Sequence, residues 1–342
     1  MSAESGQARR GIGARSPRSD TYLFSVLVAV FLGFAGAAGA IAFRILIRLF
    51  QGAFFGGVEG VTEVFEVGLL ADPRDPVERA QGLAAHWRVM IPALGGLIVG
   101  PMVYFLVREA KGPGIPEVME AVALRGGVIR RRVIGLKTLA SAITIGSGGS
   151  VGREGPIVQI GSAVASWFGQ LLKVPPRQLR TMVGCGSAAG IAATFNAPIA
   201  GALFAVEIVI GDFAVAQFSP IVISSVVATV VSRLVLGDQP AFEVPGYELV
   251  SPLELFAYAV VGIAAGLVAL AFIRAVAKTE DLFEAIPIPD YLKAGLGGLC
   301  VGMIGIWLPQ VFGVGYETID LTLTGQLPIV ALGLLLVAKL AA

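Results

Sequence analysis

Long apolar segments separated by short polar turns dominate the chain. The segment Thr21–Phe50 is longer than the ~20 residues that a helix needs to cross a bilayer. Other apolar segments are too short to cross alone, including Val133–Ile145 and the pair Met182–Thr194 and Ala197–Ile210, which Phe195-Asn196 separates. Half-length helices that end at loops are the pattern with which transporters bring helix ends to the middle of the membrane. The pattern therefore predicts an all-α, polytopic membrane protein with broken helices.

The chain also repeats itself. The segment Ala93–Gly100 recurs as Gly295–Gly302, at a separation of 202 positions between Gly95 and Gly297. A Gly-x-Gly sequence follows each copy, first as Gly112-Pro113-Gly114 and then as Gly313-Val314-Gly315. Two-fold internal similarity in a polytopic chain is typical of repeat transporters, whose binding site lies where the repeats meet. We expect a first transmembrane repeat over residues 21–250 and a partial second repeat over residues 251–342.

Composition agrees with a membrane location and indicates little else. The chain is 56% hydrophobic and 14% charged, against about 25% charged residues in soluble domains. Residues 1–20 are polar and basic without an apolar core, which predicts a disordered tail rather than a cleaved signal. The basic cluster Arg125–Arg132 is expected in the cytoplasm. A net charge of +1 does not suggest nucleic acid, and two isolated cysteines with one histidine predict neither a disulfide nor a metal site.

The segment Gly146–Pro156 holds the most informative chemistry. Its Arg153 and Glu154 lie between apolar segments, and a charge at membrane depth is costly enough to mark a functional site. The glycines leave backbone N–H groups open to a ligand, and Pro156 suits the first turn of a helix predicted over Ile157–Leu172. Because the amide end of that helix would face the loop, we predict an anion site made of backbone, with a carboxylate at its mouth.

Other interpretations of this loop are weaker. A phosphate-binding P-loop needs a Lys-Ser or Lys-Thr that is missing here. Gly148–Gly152 matches the G-x-S-x-G of serine hydrolases, but His86 is the single histidine and lies far away in sequence. A tight turn with a snorkelling Arg–Glu pair and a non-transporting membrane scaffold remain alternatives. The second proline-opened glycine loop, Gly112–Val118, favours a transporter over both.

Three sequence blocks together resemble the CLC family of chloride channels and proton/chloride antiporters. They are Gly112–Val118, Gly152–Pro156 and Asn196–Gly201, in the order and approximate spacing of that family. The resemblance implies inverted transmembrane repeats and movement of a small anion, chloride or nitrate, with Glu154 as the gate. Channel conduction and proton-coupled antiport both stay open. No enzymatic activity, cofactor or metal is implied.

The resemblance also implies site residues. Backbone around the two glycine loops would bind the anion, over Gly112, Pro113, Gly114, Ile115, Pro116, Gly152, Arg153, Gly155 and Pro156. Pro113 replaces the family's central-site serine, and plant members with proline there favour nitrate, so the choice between chloride and nitrate stays open. Antiporters commonly carry an inner proton-accepting Glu where this chain has Ile208. The adjacent Glu207 either serves that proton path or caps a helix end.

The resemblance covers most of this chain but not a whole CLC unit. The second repeat is expected to stop before its own glycine-rich loop, so the sequence is expected to be a C-terminally truncated member, and a polypeptide ending at Ala342 is expected not to transport. The implied complete protein is a multi-pass protein of the cell membrane with a cytoplasmic N-terminus. It would contact lipid and form a homodimer through residues around 197–236.

Overall fold

Helices form all the regular structure of the described residues, which are 17–68, 76–106, 112, 114–212, 215–238, 240, 242, 244–246 and 251–342 of the computed structural model. Four of these helices are long and apolar enough to cross a membrane. The helices are α1 (Pro17–Val67), α2 (Pro76–Gln81), α3 (Ala85–Pro101), α4 (Ile115–Leu124), α5 (Arg132–Gly146), α6 (Glu154–Leu171), α7 (Pro176–Phe195), α8 (Pro198–Phe204), α9 (Val215–Leu236), α10 (Glu254–Ala285), α11 (Asp290–Trp307), α12 (Tyr316–Leu323) and α13 (Ile329–Ala341). Short π-helical turns extend α3 over Met102–Leu106 and α8 over Ala205–Ile210.

The first helix is longer at both ends than the predicted span Thr21–Phe50. It begins at Pro17, inside the predicted tail, because proline is well suited to the first helical position. Residues 1–16 of that tail lie outside the described residues. The helix continues to Val67 through a kink at Gly57, whose φ of 59° departs from helical values. Apolar residues such as Phe55 and Val64 are buried beyond Phe50, so packing extends the helix where a polar connection was expected.

The predicted helix breaks are confirmed. The half-length α5 ends at Gly146, immediately before the glycine-rich loop. The chain reverses between α7 and α8 at Asn196, which has the left-handed φ of 56° that ends helices and that asparagine tolerates better than most residues. Pro198 then opens α8. The broken-helix interpretation therefore holds at both places where the sequence indicated it.

The helices α3 and α11 carry the repeated sequence, and they pack on each other through its glycines. A Cβ on Gly96 would overlap the carbonyl oxygen of Ala294, and a Cβ on Gly298 would overlap that of Pro92. Both residues of the second contact are 202 positions from their counterparts in the first. Gly96 of α3 contacts Ala294 of α11, and the equivalent residues contact each other with the two helices exchanged. Such a reciprocal contact is generated by a two-fold axis. Small residues let the helix backbones approach closely, as is usual between transmembrane helices.

The same glycine contacts give the direction of the two helices. Gly100 lies against Tyr291, and its counterpart Gly302 lies against Val89. Contacts therefore move toward the start of α11 as they move toward the end of α3, so the helices are antiparallel. Repeats related in this way run in opposite directions through the bundle, as inverted repeats do.

The packed centre of the protein surrounds α6 and α7. Their small residues meet closely, with Gly161 against the carbonyl of Gly186 and Gly190 against that of Ile157. The α7 helix is buried along most of its length, between α1, α6 and α9. In contrast, none of the residues of α10 is buried. The centre thus positions the start of α6, where the glycine-rich loop ends.

Candidate functional site

The glycine-rich loop connects the end of α5 to the start of α6. Gly148 turns the chain with a φ of 88°, a left-handed value that glycine adopts without strain. The N–H of Gly149 donates to the Thr144 carbonyl at 2.9 Å, which closes the end of α5. Arg153 precedes α6 but makes no side-chain capping bond to it. Glu154 is the first residue of α6, three residues earlier than the sequence predicted, so the carboxylate stands at the amide end of the helix.

The start of α4 meets the start of α6. Gly114 precedes α4 with a φ of 96°, and α4 has no side-chain cap. A Cβ on Gly114 would lie 2.9 Å from the Gly155 carbonyl oxygen and 2.9 Å from Oε1 of Gln159, so only glycine permits this approach. The two sequence motifs, about 40 residues apart, are thus brought together at two uncapped helix N-termini.

A cavity of about 380 Å³ opens where these helix starts meet. Its wall comes from α3, α5 and the beginnings of α4 and α6. Six of the predicted site residues line it: Gly112, Ile115, Gly152, Glu154, Gly155 and Pro156. The rest of the wall includes polar groups of α5, at Lys137, Ser141 and Thr144. Free amide ends, hydroxyls and an ammonium around one cavity favour an anion over a cation.

The carboxylate of Glu154 folds back over Gly152. A Cβ on Gly152 would overlap Oε2, so a larger residue there would displace the carboxylate. The hydroxyl of Tyr316 donates to Oε1 at 2.9 Å. Since Tyr316 is the first residue of α12, this bond joins the second repeat to the gate residue predicted in the first.

Three other predicted residues, Arg153, Pro116 and Glu207, are absent from the wall of the cavity. The Arg153 guanidinium carbon lies 4.5 Å from the centroid of the Tyr316 ring and 5.8 Å from that of Phe195, a cation–π arrangement. Pro116 is exposed, and Glu207 lies on the exposed side of the π-helical turn after α8. Pro113 lies outside the described residues. These positions do not decide between a proton path and a helix-end cap for Glu207, and its role stays a prediction.

Two lysines at repeat-related positions bond the two Gly-x-Gly loops. The Lys137 ammonium donates to the Gly112 carbonyl at 2.7 Å. Lys339, 202 positions later, donates to the Gly313 carbonyl at 3.3 Å, and also to the Ser150 hydroxyl at 2.9 Å. Each lysine thus holds a carbonyl oxygen that would otherwise repel an anion. The second lysine also connects the Gly313 loop to the glycine-rich loop of the first repeat.

The residues that sequence reasoning missed are Lys137, Lys339 and Tyr316. An isolated lysine in an apolar helix was the available signal for the first two, because intramembrane charges mark functional sites. The repeat offset would then have paired them. Tyr316 follows the second Gly-x-Gly loop directly, as Ile115 follows the first, and that correspondence was its one signal.

The family model described as "Voltage gated chloride channel" matches residues 95–342, which is more than half of the chain and includes both glycine loops. The chain belongs to the CLC family. A ClcB-like protein of Ralstonia nicotianae is 32% identical over 297 residues, a match that covers 86% of this chain and 66% of that protein. The "Chloride channel protein CLC-e" of Arabidopsis thaliana is 33% identical over 259 residues, covering 72% of this chain and 36% of that protein.

Solved structures confirm the fold. The structure of "a slow cyanobacterial Cl-/H+ antiporter" superimposes with a TM-score of 0.74 at 20% identity, over 96% of this chain and 74% of that one. The CLC fold and the multi-pass membrane character that the sequence predicted are therefore confirmed. The chain spans about two thirds of the length of the Ralstonia relative and about a third of the Arabidopsis one.

Proposed function

We propose that this chain forms the anion pathway of a CLC-type membrane transporter, which moves small monovalent anions across a membrane and is gated by Glu154. The chain's relatives are chloride channel proteins by name, and its fold is that of a Cl⁻/H⁺ antiporter. The observation that carries the proposal is the Glu154 carboxylate, which lines a cavity between the uncapped starts of α4 and α6. An anion entering that cavity meets the same helix ends.

The carboxylate acts in this proposal as a tethered copy of the transported anion. While it is charged, it occupies the cavity and excludes a free anion. Protonation removes its charge and its attraction to the amide ends, so that the side chain can leave. The anion then binds to backbone amides and to the Ser141 hydroxyl, while the Lys137 ammonium stays bonded to the Gly112 carbonyl. Weak, multiple contacts of this kind allow fast exit.

Channel conduction is the main form of the proposal, and proton-coupled antiport is the second. The apolar Ile208 at the family's proton-acceptor position favours a channel, whereas the fold match to an antiporter favours coupling. Reversal potentials of the complete gene product in planar bilayers separate the two. At equal chloride on both sides, a channel reverses at zero whatever the pH gradient, and an antiporter shifts with it. Absence of anion movement at every pH would contradict both forms.

The location and assembly belong to the same proposal. We place the protein in the cell membrane with its N-terminus in the cytoplasm, because the basic residues Arg125, Arg130 and Arg131 lie between α4 and α5. We also propose a homodimer through residues 197–236. That surface is supported by exposed apolar side chains on α8 and α9, among them Ile199, Val226, Val230 and Leu234.

A further inference from the structure

The hydrogen bond between Tyr316 and Glu154 joins two residues that are 162 positions apart. It is a charge-assisted bond when the glutamate is ionised, because a hydroxyl then donates to a carboxylate. Bonds to the charged form stabilise that form over the protonated one. The tyrosine hydroxyl therefore acts on the same equilibrium that opens the proposed gate.

Three side chains surround the Tyr316 ring. The Arg153 guanidinium stacks on it at 4.5 Å from the ring centroid. The Phe242 ring meets it in a T-shaped contact at 5.0 Å, and Phe195 lies 6.4 Å away. Gly315, immediately before it, has a φ of 86° that sets the direction from which α12 begins. Because these contacts already restrict the Tyr316 side chain, it loses little rotamer freedom when its hydroxyl bonds the Glu154 carboxylate.

From this geometry we propose that Tyr316 is a positioning residue for the gate, which holds the charged Glu154 in its blocking place and so sets the pH at which the anion pathway opens. The inference rests on the proposed function, since it assumes that protonation of Glu154 opens the pathway. It also explains why the second repeat reaches the site. Its Gly-x-Gly loop delivers a donor to the carboxylate, while the equivalent residue of the first repeat, Ile115, lines the cavity.

Charged groups on the neighbouring elements must be kept constant in a test. They come from helices packed around the site and from the loop before α6: Lys137 of α5, Glu117 of α4, Arg153, Glu317 of α12 and Lys339 of α13. A change from tyrosine to phenylalanine leaves all of them in place and preserves the ring on which Arg153 stacks. The hydroxyl is then the one group removed.

The test is the pH dependence of chloride efflux from liposomes that contain the complete gene product. In Tyr316→Phe, loss of the donor favours the protonated carboxyl, so the pH of half-maximal efflux should rise by about one unit. The matched control is Tyr258→Phe, which removes a hydroxyl that donates to Glu254 at 2.9 Å on the exposed helix α10. That variant should keep the wild-type midpoint.

A double-mutant comparison shows whether the tyrosine acts through the gate. In the Glu154→Gln background, Tyr316→Phe should leave the pH profile of efflux unchanged. If Tyr316→Phe does not yield folded protein, Glu154→Asp breaks the same bond from the other side by shortening the acid, and its midpoint should also rise. An unmoved midpoint in the variant that folds would overturn the inference. Wild-type protein without efflux at any pH would remove the proposed function as well.

Discussion

At the scale of single residues, Gly152 shows how the site restricts its own sequence. The carboxylate of Glu154 lies where a Cβ at position 152 would be, so a side chain there would push the acid out of the cavity wall. Gly114 is restricted for a different reason, since its φ of 96° is unfavourable for other residues and the Gly155 backbone lies against it. Gly114 thus permits the close approach of the starts of α4 and α6, and Gly152 permits the observed position of the Glu154 carboxylate.

The choice of anion is predicted to depend on Pro113, which lies between Gly112 and Gly114 in sequence. Pro113→Ser adds a hydroxyl that can donate to a compact anion, a contact of about 1–2 kcal/mol. Chloride should then gain on nitrate by several-fold up to about tenfold or more, in efflux assays that compare the two anions under equal conditions. An unchanged ratio of the two rates would mean that position 113 does not contact the ion.

At the scale of elements, the antiparallel contact of α3 and α11 joins the two repeats. The glycines that the sequence repeats are the residues at which the backbones touch. This explains why the repeated segment is rich in glycine: both helices need small residues at the same contact, once from each side of the two-fold axis. Separation of these helices would move the first and second halves of the site apart.

Two adjacent glycines on α11 test this contact. A Cβ on Gly298 would overlap the Pro92 carbonyl, whereas a Cβ on Gly297 would lie 3.9 Å from the Phe283 ring. Gly298→Ala should therefore destabilise the folded protein by about 1–3 kcal/mol through overpacking. Gly297→Ala, the control, should be close to neutral. Thermal unfolding in detergent would measure both, and equal midpoints would contradict the helix contact described here.

Sequence patterns predicted the elements better than the contacts between them. The half-length α5 follows from the length of its apolar segment, and the break between α7 and α8 follows from the polar Asn196 between two apolar segments. The extension of α1 to Val67 depends on burial of residues such as Phe55, which local polarity conceals. The bond from Tyr316 to Glu154 depends on how the two repeats pack against each other. The two residues are 162 positions apart, and local hydrophobic periodicity cannot predict a contact between them.

At the scale of the whole molecule, the inverted relation of the repeats brings helix starts from both halves to one place. The first repeat supplies α4, α6 and the carboxylate, and the second supplies Tyr316 and the Lys339 ammonium. Charged groups that would be costly alone in a membrane are partnered: the acid by a hydroxyl of the other repeat, and each lysine by a carbonyl of its own repeat. The proposed pathway is a product of the docking, and neither repeat forms it alone.

The proposed homodimer predicts that a bulky residue on α9 disrupts assembly. Val230 is 51% exposed on α9, within residues 197–236, and Val230→Trp should weaken the dimer about tenfold or more by preventing close packing. Val260→Trp, at a position 66% exposed on α10, is the control and should leave assembly unchanged. Cross-linking in liposomes at increasing dilution would distinguish them. Equal dimer fractions would place the interface elsewhere.

The central claim is that protonation of Glu154 opens the anion pathway, and the pH profile of chloride efflux in Glu154→Gln tests it most directly. Glutamine mimics the protonated acid, so efflux from liposomes should lose its acid activation and any proton coupling, and remain high at neutral pH. Glu284→Gln, an exposed acid on α10, should keep the wild-type profile. Acid activation that persists in Glu154→Gln would contradict the account and remove Glu154 from the gate.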